Sequence, residues 1–266
     1  MSAPVWLTAL PIAHRGLHDS AKGLVENSLG AAQAAIAGGF AIECDVQLSL
    51  DGEAVVFHDD SLRRLTRARG AIGEKSAAEL QRVVFRGSSE TIPTLPKFLA
   101  YVGGRTPVIC ELKSAFDGDI RLADRVAALA RDYDGPLALK SFDPDVVTHL
   151  RARCGDVVPL GVVAEASYEG WEWRALNPAQ KQACAAFTHY PETRPDFLSW
   201  RVDDLPHAIP YLLRGMLSVP VMTWTVRDDE QRRKAARWAD QIVFEGAASL
   251  EPRRYFDASA ASTTRS

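Results

Sequence analysis

Eight β-like runs, helical segments between them and a length of 266 residues predict an α/β fold of the closed (β/α)8 TIM-barrel type. A barrel of this kind needs eight strands, each followed by a helix, and ordinarily takes about 250 residues. The rival is an open, doubly wound sheet. No glycine-rich turn follows an early strand here, as the phosphate site of that fold would require.

The first run, 11–14 (PIAH), leads into 28–37 (SLGAAQAAIA), where the apolar spacing is helical and Ser28 reads as the N-cap. The second strand, 41–48, sets Glu43 and Asp45 between apolar neighbours. We read it as a buried barrel strand rather than a half-exposed one. Residues 54–94 then interrupt the pattern with an extra strand (AVVFH), a basic stretch and mixed polar sequence. They read as a lid-like insertion on the second βα connection. Alternation resumes with strands 107–113, 137–142, 157–164, 197–202, 219–226 and 241–246, and with helical segments 119–131, 144–153, 206–216 and 228–239. We expect one domain over residues 1–256, with a small, polar and disordered tail over 257–266.

Composition narrows the function classes. Hydrophobic residues at 47% and charged residues at 24% are ordinary for a globular protein, and a net charge of −3 gives no general affinity for nucleic acid or an anionic membrane. No run of about 18 apolar residues occurs, so no stable membrane insertion is expected. Cys44, Cys110, Cys154 and Cys184 are scattered without a CxxC pair, which fits reduced thiols in the cytoplasm and neither a disulfide framework nor a zinc site.

Charged residues gather where a barrel would use them. Catalytic groups come from the C-terminal ends of the strands, and His14-Arg15, Glu43 and Asp45, Glu111 and Lys113, and Lys140 fall at or near the ends of the first four barrel strands. Side chains alternate along a strand, so Glu43 and Asp45 share a face and Cys44 turns away; Glu111 and Lys113 share a face and Cys110 turns away. Three carboxylates in one barrel mouth repel one another unless a cation neutralises them, and such oxygen-rich sites suit Mg²⁺ or Ca²⁺. The hairpin after the second strand brings His58 and Asp59 beside them. Arg63, Arg64, Arg67 and Arg69 read as the solvated surface of the insertion. His18, His149, His189 and His207 read as structural or exposed.

In order and spacing, His14-Arg15-Gly16, Glu26-Asn27-Ser28, Glu43-x-Asp45, His58-Asp59 with Leu62 and Thr66, IPTL at 92–95, Glu111-Leu-Lys113, Ser141-Phe142 and WTV at 224–226 resemble the glycerophosphodiester phosphodiesterase family. The resemblance spans about residues 11 to 246. It implies a barrel with an insertion after its second strand. It also implies Glu43, Asp45 and Glu111 as ligands of one divalent cation, His14 as base and His58 as acid, Arg15 and Lys113 as phosphate contacts, and Trp224 as an aromatic wall of the substrate pocket. The implied substrate is a small glycerophosphodiester, split into glycerol 3-phosphate and an alcohol. Ser28 stands where that family usually has Thr, Arg227 where it has Asn, and Phe244-Glu245 where it has Thr-Asp. Of these, the last two bear on the leaving-group pocket. Two alternatives remain: a lysophospholipase D-like or phospholipase C-like enzyme on lipid substrates, and a non-catalytic barrel that binds a phospho-ligand.

Overall fold

The computed structural model describes residues 3–246; the tail expected over 257–266 lies outside the described residues. The barrel strands are β1 (Ile12–Ala13), β2 (Ala41–Leu48), β4 (Val108–Leu112), β5 (Leu137–Ser141), β6 (Leu160–Ala164), β7 (Phe197–Arg201), β8 (Val221–Val226) and β9 (Gln241–Phe244). Each pairs in parallel with its neighbours, and β1 pairs with both β2 and β9, which closes the barrel. The remaining strand, β3 (Ala54–Val56), lies antiparallel on β2 and opens the insertion.

Several strands start one to three residues later than their apolar runs, and proline is the reason. Pro11, Pro107, Pro136, Pro159 and Pro220 each stand immediately before a strand. Proline donates no hydrogen bond, but its carbonyl still accepts one: Ala41 N–H bonds Pro11, Ile42 bonds Pro107, Val108 bonds Pro136, Leu139 bonds Pro159 and Leu198 bonds Pro220.

The helices between strands include α2 (Leu29–Ala37), α5 (Arg121–Arg131), α6 (Pro144–Cys154), α9 (Ala208–Leu217) and α10 (Asp229–Trp238), all near their expected bounds. Ser28 is the N-cap of α2 and accepts from the Ala31 amide. Helices α1 (Trp6–Ala9), α3 (Ala77–Leu80), α4 (Leu95–Val102), α7 (Pro178–Ala186) and α8 (Tyr190–Thr193) were not expected. Three of them carry start signals: Ser76 with Glu79 and Asn177 with Gln180 form capping boxes on α3 and α7, and Thr94 of the IPTL stretch caps α4.

Two cores follow from strand alternation. Inward positions at the bottom of the barrel, Ile12, Ala41, Ile109, Ala138, Phe197, Met222 and Val243, form one apolar plug closed by Leu7 of α1. Outward positions, among them Ile42, Cys44, Cys110, Leu139, Leu198 and Phe244, pack against the helices as the larger core. The insertion has a third core of its own, including Phe57, Leu62, Ile72, Leu80, Phe85 and Ile92, with Phe57 and Phe85 stacked at 6.3 Å. Its scattered apolar residues thus face one another.

The plug has no spare room beside β6. A Cβ built on Gly161 would lie 2.3 Å from the Phe197 ring. Gly161→Ala should therefore cost about 1–3 kcal/mol in chemical denaturation through overpacking. The double variant with Phe197→Leu should recover part of that loss.

Candidate active site

Counting upward by twos from the apolar plug gives the site. Ile12 leads to His14, Ala41 to Glu43 and Asp45, Ile109 to Glu111 and Lys113, Ala138 to Lys140, Met222 to Trp224, and Val243 to Glu245. The inner surface is apolar below and charged above.

Glu43, Asp45 and Glu111 are buried, and each offers one oxygen within 4.8 Å of the others. The β2–β4 register sets Asp45 opposite Glu111. Part of the neutralising charge assigned to a metal from sequence comes from ammonium groups. Lys113 Nζ lies 2.8 Å from Asp45 Oδ1 and 2.5 Å from Glu111 Oε1. Lys140 Nζ lies 3.1 Å from Glu43 Oε1 and 3.3 Å from Glu111 Oε2, with its side chain only 2% exposed. Burial alone would raise the Asp45 and Glu111 carboxyls; Lys113 foremost holds Asp45 well below its usual range, and Lys113 with Lys140 holds Glu111 below its own. The same pairings keep both ammoniums above their ordinary value against the pull of burial.

Three carboxylates make an all-oxygen donor set that suits a hard divalent cation. Glu43 Oε1 is buried and accepts no well-directed hydrogen bond, although Lys140 Nζ lies 3.1 Å away, so it keeps a lone pair for a metal. The residues fit such an ion.

Each histidine rests on a carboxylate, and each carboxylate on an arginine. His58 Nδ1 is 2.8 Å from Asp59 Oδ1, and Arg64 Nε is 2.6 Å from Asp59 Oδ2. His14 Nδ1 is 2.5 Å from Glu245 Oε1, and Arg227 Nε is 2.7 Å from Glu245 Oε2. Burial would raise both carboxyls; His58 and Arg64 hold Asp59 far below its usual range, and His14 and Arg227 hold Glu245 down to about 2. His14 Nε2 turns toward the acidic cluster, 3.9 Å from Glu43 Oε2.

The His14-Arg15-Gly16 turn is built by backbone constraint. Gly16 has φ +78°, and a Cβ there would meet Ala31 at 2.9 Å. The turn aims the Arg15 N–H at Glu43 Oε2 (3.0 Å), while the Arg15 guanidinium bonds Glu26 at 2.7 Å and lies 3.2 Å from Asp45 Oδ2. Arg15 and Lys113, the implied phosphate contacts, thus both stand on the acidic cluster. Trp224 is half-buried: its Nε1–H donates to Ser199 O at 2.9 Å, and its ring meets Phe142 edge-on at 5.5 Å.

Four residues have partners here that the sequence alone did not assign; Asn27, Lys140 and Glu245 were named from sequence, and Gln47 was not. Asn27 donates to Asp45 Oδ2 (2.9 Å) and accepts from the Asp45 amide (3.1 Å). Gln47 Nε2 donates to the carbonyls of Phe57, His58 and Asp59, which anchors the segment that carries His58. Lys140 and Glu245 are the others. Strand parity points three of the four inward: Gln47 continues the series of Glu43 and Asp45, Lys140 follows Ala138, and Glu245 follows Val243.

Several expectations change. Arg64 does not simply line a solvated surface, because it bonds both Asp59 and Glu26; Arg63, Arg67 and Arg69 are exposed. The structural or exposed reading of His149 and His207 stands, with His149 paired to Asp124 at 2.8 Å and His207 capping α9 and stacked on Trp200. Phe244 faces the outer core, 5.0 Å from Phe40, and so takes no part in a leaving-group pocket.

Residues 14–247 match the model of the glycerophosphoryl diester phosphodiesterase family. A glycerophosphodiester phosphodiesterase of Caldanaerobacter subterraneus subsp. tengcongensis is 33% identical over 174 residues, 58% of this chain and 70% of that protein. The solved glycerophosphodiester phosphodiesterase of Thermotoga maritima is 25% identical with a TM-score of 0.67, covering 88% of this chain and 92% of that one. An Oleispira antarctica phosphodiesterase, solved in complex with the product sn-glycerol-3-phosphate, has the same fold at a TM-score of 0.70 and 23% identity, covering 89% of this chain and 93% of that one.

The depressed carboxyls set the acid limit of stability. Folded Glu245 protonates near 2 against an ordinary 4.5, so its contribution is complete above pH 4.5 and is lost as pH falls toward 2. Asp45, Asp59 and Glu111 share that sign. Lys113 and Lys140, raised instead, contribute fully below 10.5 and lose it as pH rises through their folded values. Urea midpoints of metal-free protein should be level in the neutral range and fall steeply between pH 4.5 and 2. Glu245→Gln should lower the urea midpoint at neutral pH, and the difference from wild type should shrink through the same window.

Proposed function

Because this chain belongs to the glycerophosphoryl diester phosphodiesterase family and is a glycerophosphodiester phosphodiesterase, we propose that it hydrolyses small glycerophosphodiesters to glycerol 3-phosphate and an alcohol, with one divalent cation and an acid–base pair of histidines. One observation carries this reading: two carboxylate-backed histidines border a buried triad of carboxylates at the C-terminal mouth of a barrel. The product bound to the Oleispira antarctica phosphodiesterase supports the substrate class. The insertion buries most of its apolar residues in its own core, with Val84 exposed, which favours water-soluble diesters over lipids. Four buried free thiols support a cytoplasmic enzyme.

Phosphodiester cleavage needs three things of these residues. Negative charge grows on the phosphate oxygens in the transition state; of the side-chain cations at the cluster, Arg15 and Lys113 meet it. A divalent ion, Mg²⁺ or Ca²⁺, held by Glu43, Asp45 and Glu111 would add Lewis-acid stabilisation there. The attacking oxygen, from water or from the neighbouring glycerol hydroxyl, must lose a proton, and the leaving alkoxide must gain one. His14 Nε2 takes the first and His58 gives the second, each worth roughly 10²–10⁴-fold. Trp224 forms one wall for the organic part of the substrate.

Release of glycerol 3-phosphate from glycerophosphocholine, followed by a coupled assay, tests the reading. A chelator should abolish release, and Mg²⁺ or Ca²⁺ should restore it; full turnover after complete stripping of metal would refute the cation.

The two histidines should differ by leaving group. Choline leaves poorly without a proton, whereas nitrophenolate departs unaided. His58→Ala should therefore lose roughly 10²–10⁴-fold on glycerophosphocholine and far less on a nitrophenyl phosphodiester, while His14→Ala falls on both. The opposite pattern would exchange the roles.

A further inference from the structure

We propose that Glu245 is a positioning residue that fixes the tautomer and direction of His14, and that Arg227 holds Glu245 in place for that task. This rests on the reading of His14 as proton acceptor.

The pairing is set by the closure of the barrel. Strands β1 and β9 pair with Ala13 opposite Phe244, and the His14 amide bonds Phe244 O at 2.9 Å. The next residue of each strand, His14 and Glu245, therefore turns into the mouth side by side, although 231 residues separate them. Each Glu245 oxygen has one main partner: Oε1 meets His14 Nδ1 at 2.5 Å, and Oε2 meets Arg227 Nε at 2.7 Å. His18 Nε2 is 3.9 Å from Oε1, too far for a hydrogen bond. Arg227 is itself steadied, because its amide bonds Gln231 Oε1 at 2.8 Å at the start of α10.

The tautomer follows. An ionised carboxylate only accepts, so Nδ1 must carry the hydrogen and the imidazole lone pair lies on Nε2. Nε2 is the nitrogen that faces the acidic cluster, 3.9 Å from Glu43 Oε2, where an attacking oxygen has to be deprotonated. Without the carboxylate, the ring could rotate or carry its hydrogen on Nε2, where it accepts nothing. Stability alone does not account for the pair, since the Arg227 side chain is 56% exposed and such ion pairs contribute little. The His58–Asp59–Arg64 chain repeats the arrangement on the other histidine. There the carboxylate is the next residue, and here it comes from the far end of the barrel.

A double-mutant cycle between Glu245 and His14 tests this. Wild type, Glu245→Gln, His14→Ala and the double variant are assayed on glycerophosphocholine and on a nitrophenyl phosphodiester, with saturating Mg²⁺ and each fold checked by thermal melting. The expected result for Glu245→Gln is a kcat lower by roughly 10–10³-fold on both substrates with KM changed less than about twofold. In the His14→Ala background the same substitution should cost nothing further, since it acts through the histidine. Arg227→Met should reduce kcat less than Glu245→Gln does. ¹⁵N spectra of the imidazoles give a readout apart from turnover: His14 should be the Nδ1–H tautomer in wild type and a mixture in Glu245→Gln. Wild-type kcat in Glu245→Gln, or an equal loss in both backgrounds, overturns the inference while leaving His14 as base. Wild-type turnover in His14→Ala overturns the base reading, and this inference with it.

Discussion

A closed parallel barrel leaves its upper interior side chains no neighbours but one another and whatever binds in the mouth. Every second residue of each strand must point inward, and here the lower inward layer is apolar while the upper one is charged. Carboxylates and ammoniums on adjacent strands are therefore forced into contact. The site depends on that constraint more than on any single bond.

Its consequence is one connected network of carboxylates and cations. Lys113 and Lys140 bridge the three carboxylates, and Arg15 joins Asp45 to Glu26. Glu26 bonds Arg64, Arg64 bonds Asp59, and Asp59 holds His58. A buried ion pair loses much of its Coulombic gain to desolvation, and removing one partner leaves an uncompensated charge. Such a network favours fixed geometry over stability, which is what a site needs when charge develops in a defined place. It also gives Lys113 and Arg15 two tasks in the proposed reaction, since each touches the carboxylate cluster and each is proposed to meet the phosphate.

The spaced motifs divide between chemistry and architecture. Gly16 exists for its backbone angle and its contact with Ala31, Thr94 for capping α4, and Leu62 for the core of the insertion. Ser141 bonds Leu112 O across β4 and β5. These hold the frame that His14, Glu43, Asp45, His58 and Glu111 require, so a motif recognised as functional is in good part structural.

The sequence by itself determined the barrel and the inward face of Glu43, Asp45 and Glu111, because side-chain alternation and helical spacing are local properties of the chain. His58–Asp59 could be read for the same reason: its partners are consecutive. Proline shifted the strand starts by a residue or more and moved no inward face. Only the tertiary structure decided which charges neutralise which. The pairing of Lys140 with Glu43 and Glu111 depends on strands brought together by the barrel, and Glu245 reaches His14 only because β9 closes on β1. Contacts between residues 231 positions apart leave no periodic trace in the chain, since what fixes them is the register of strands whose own sequences only specify which way each side chain points.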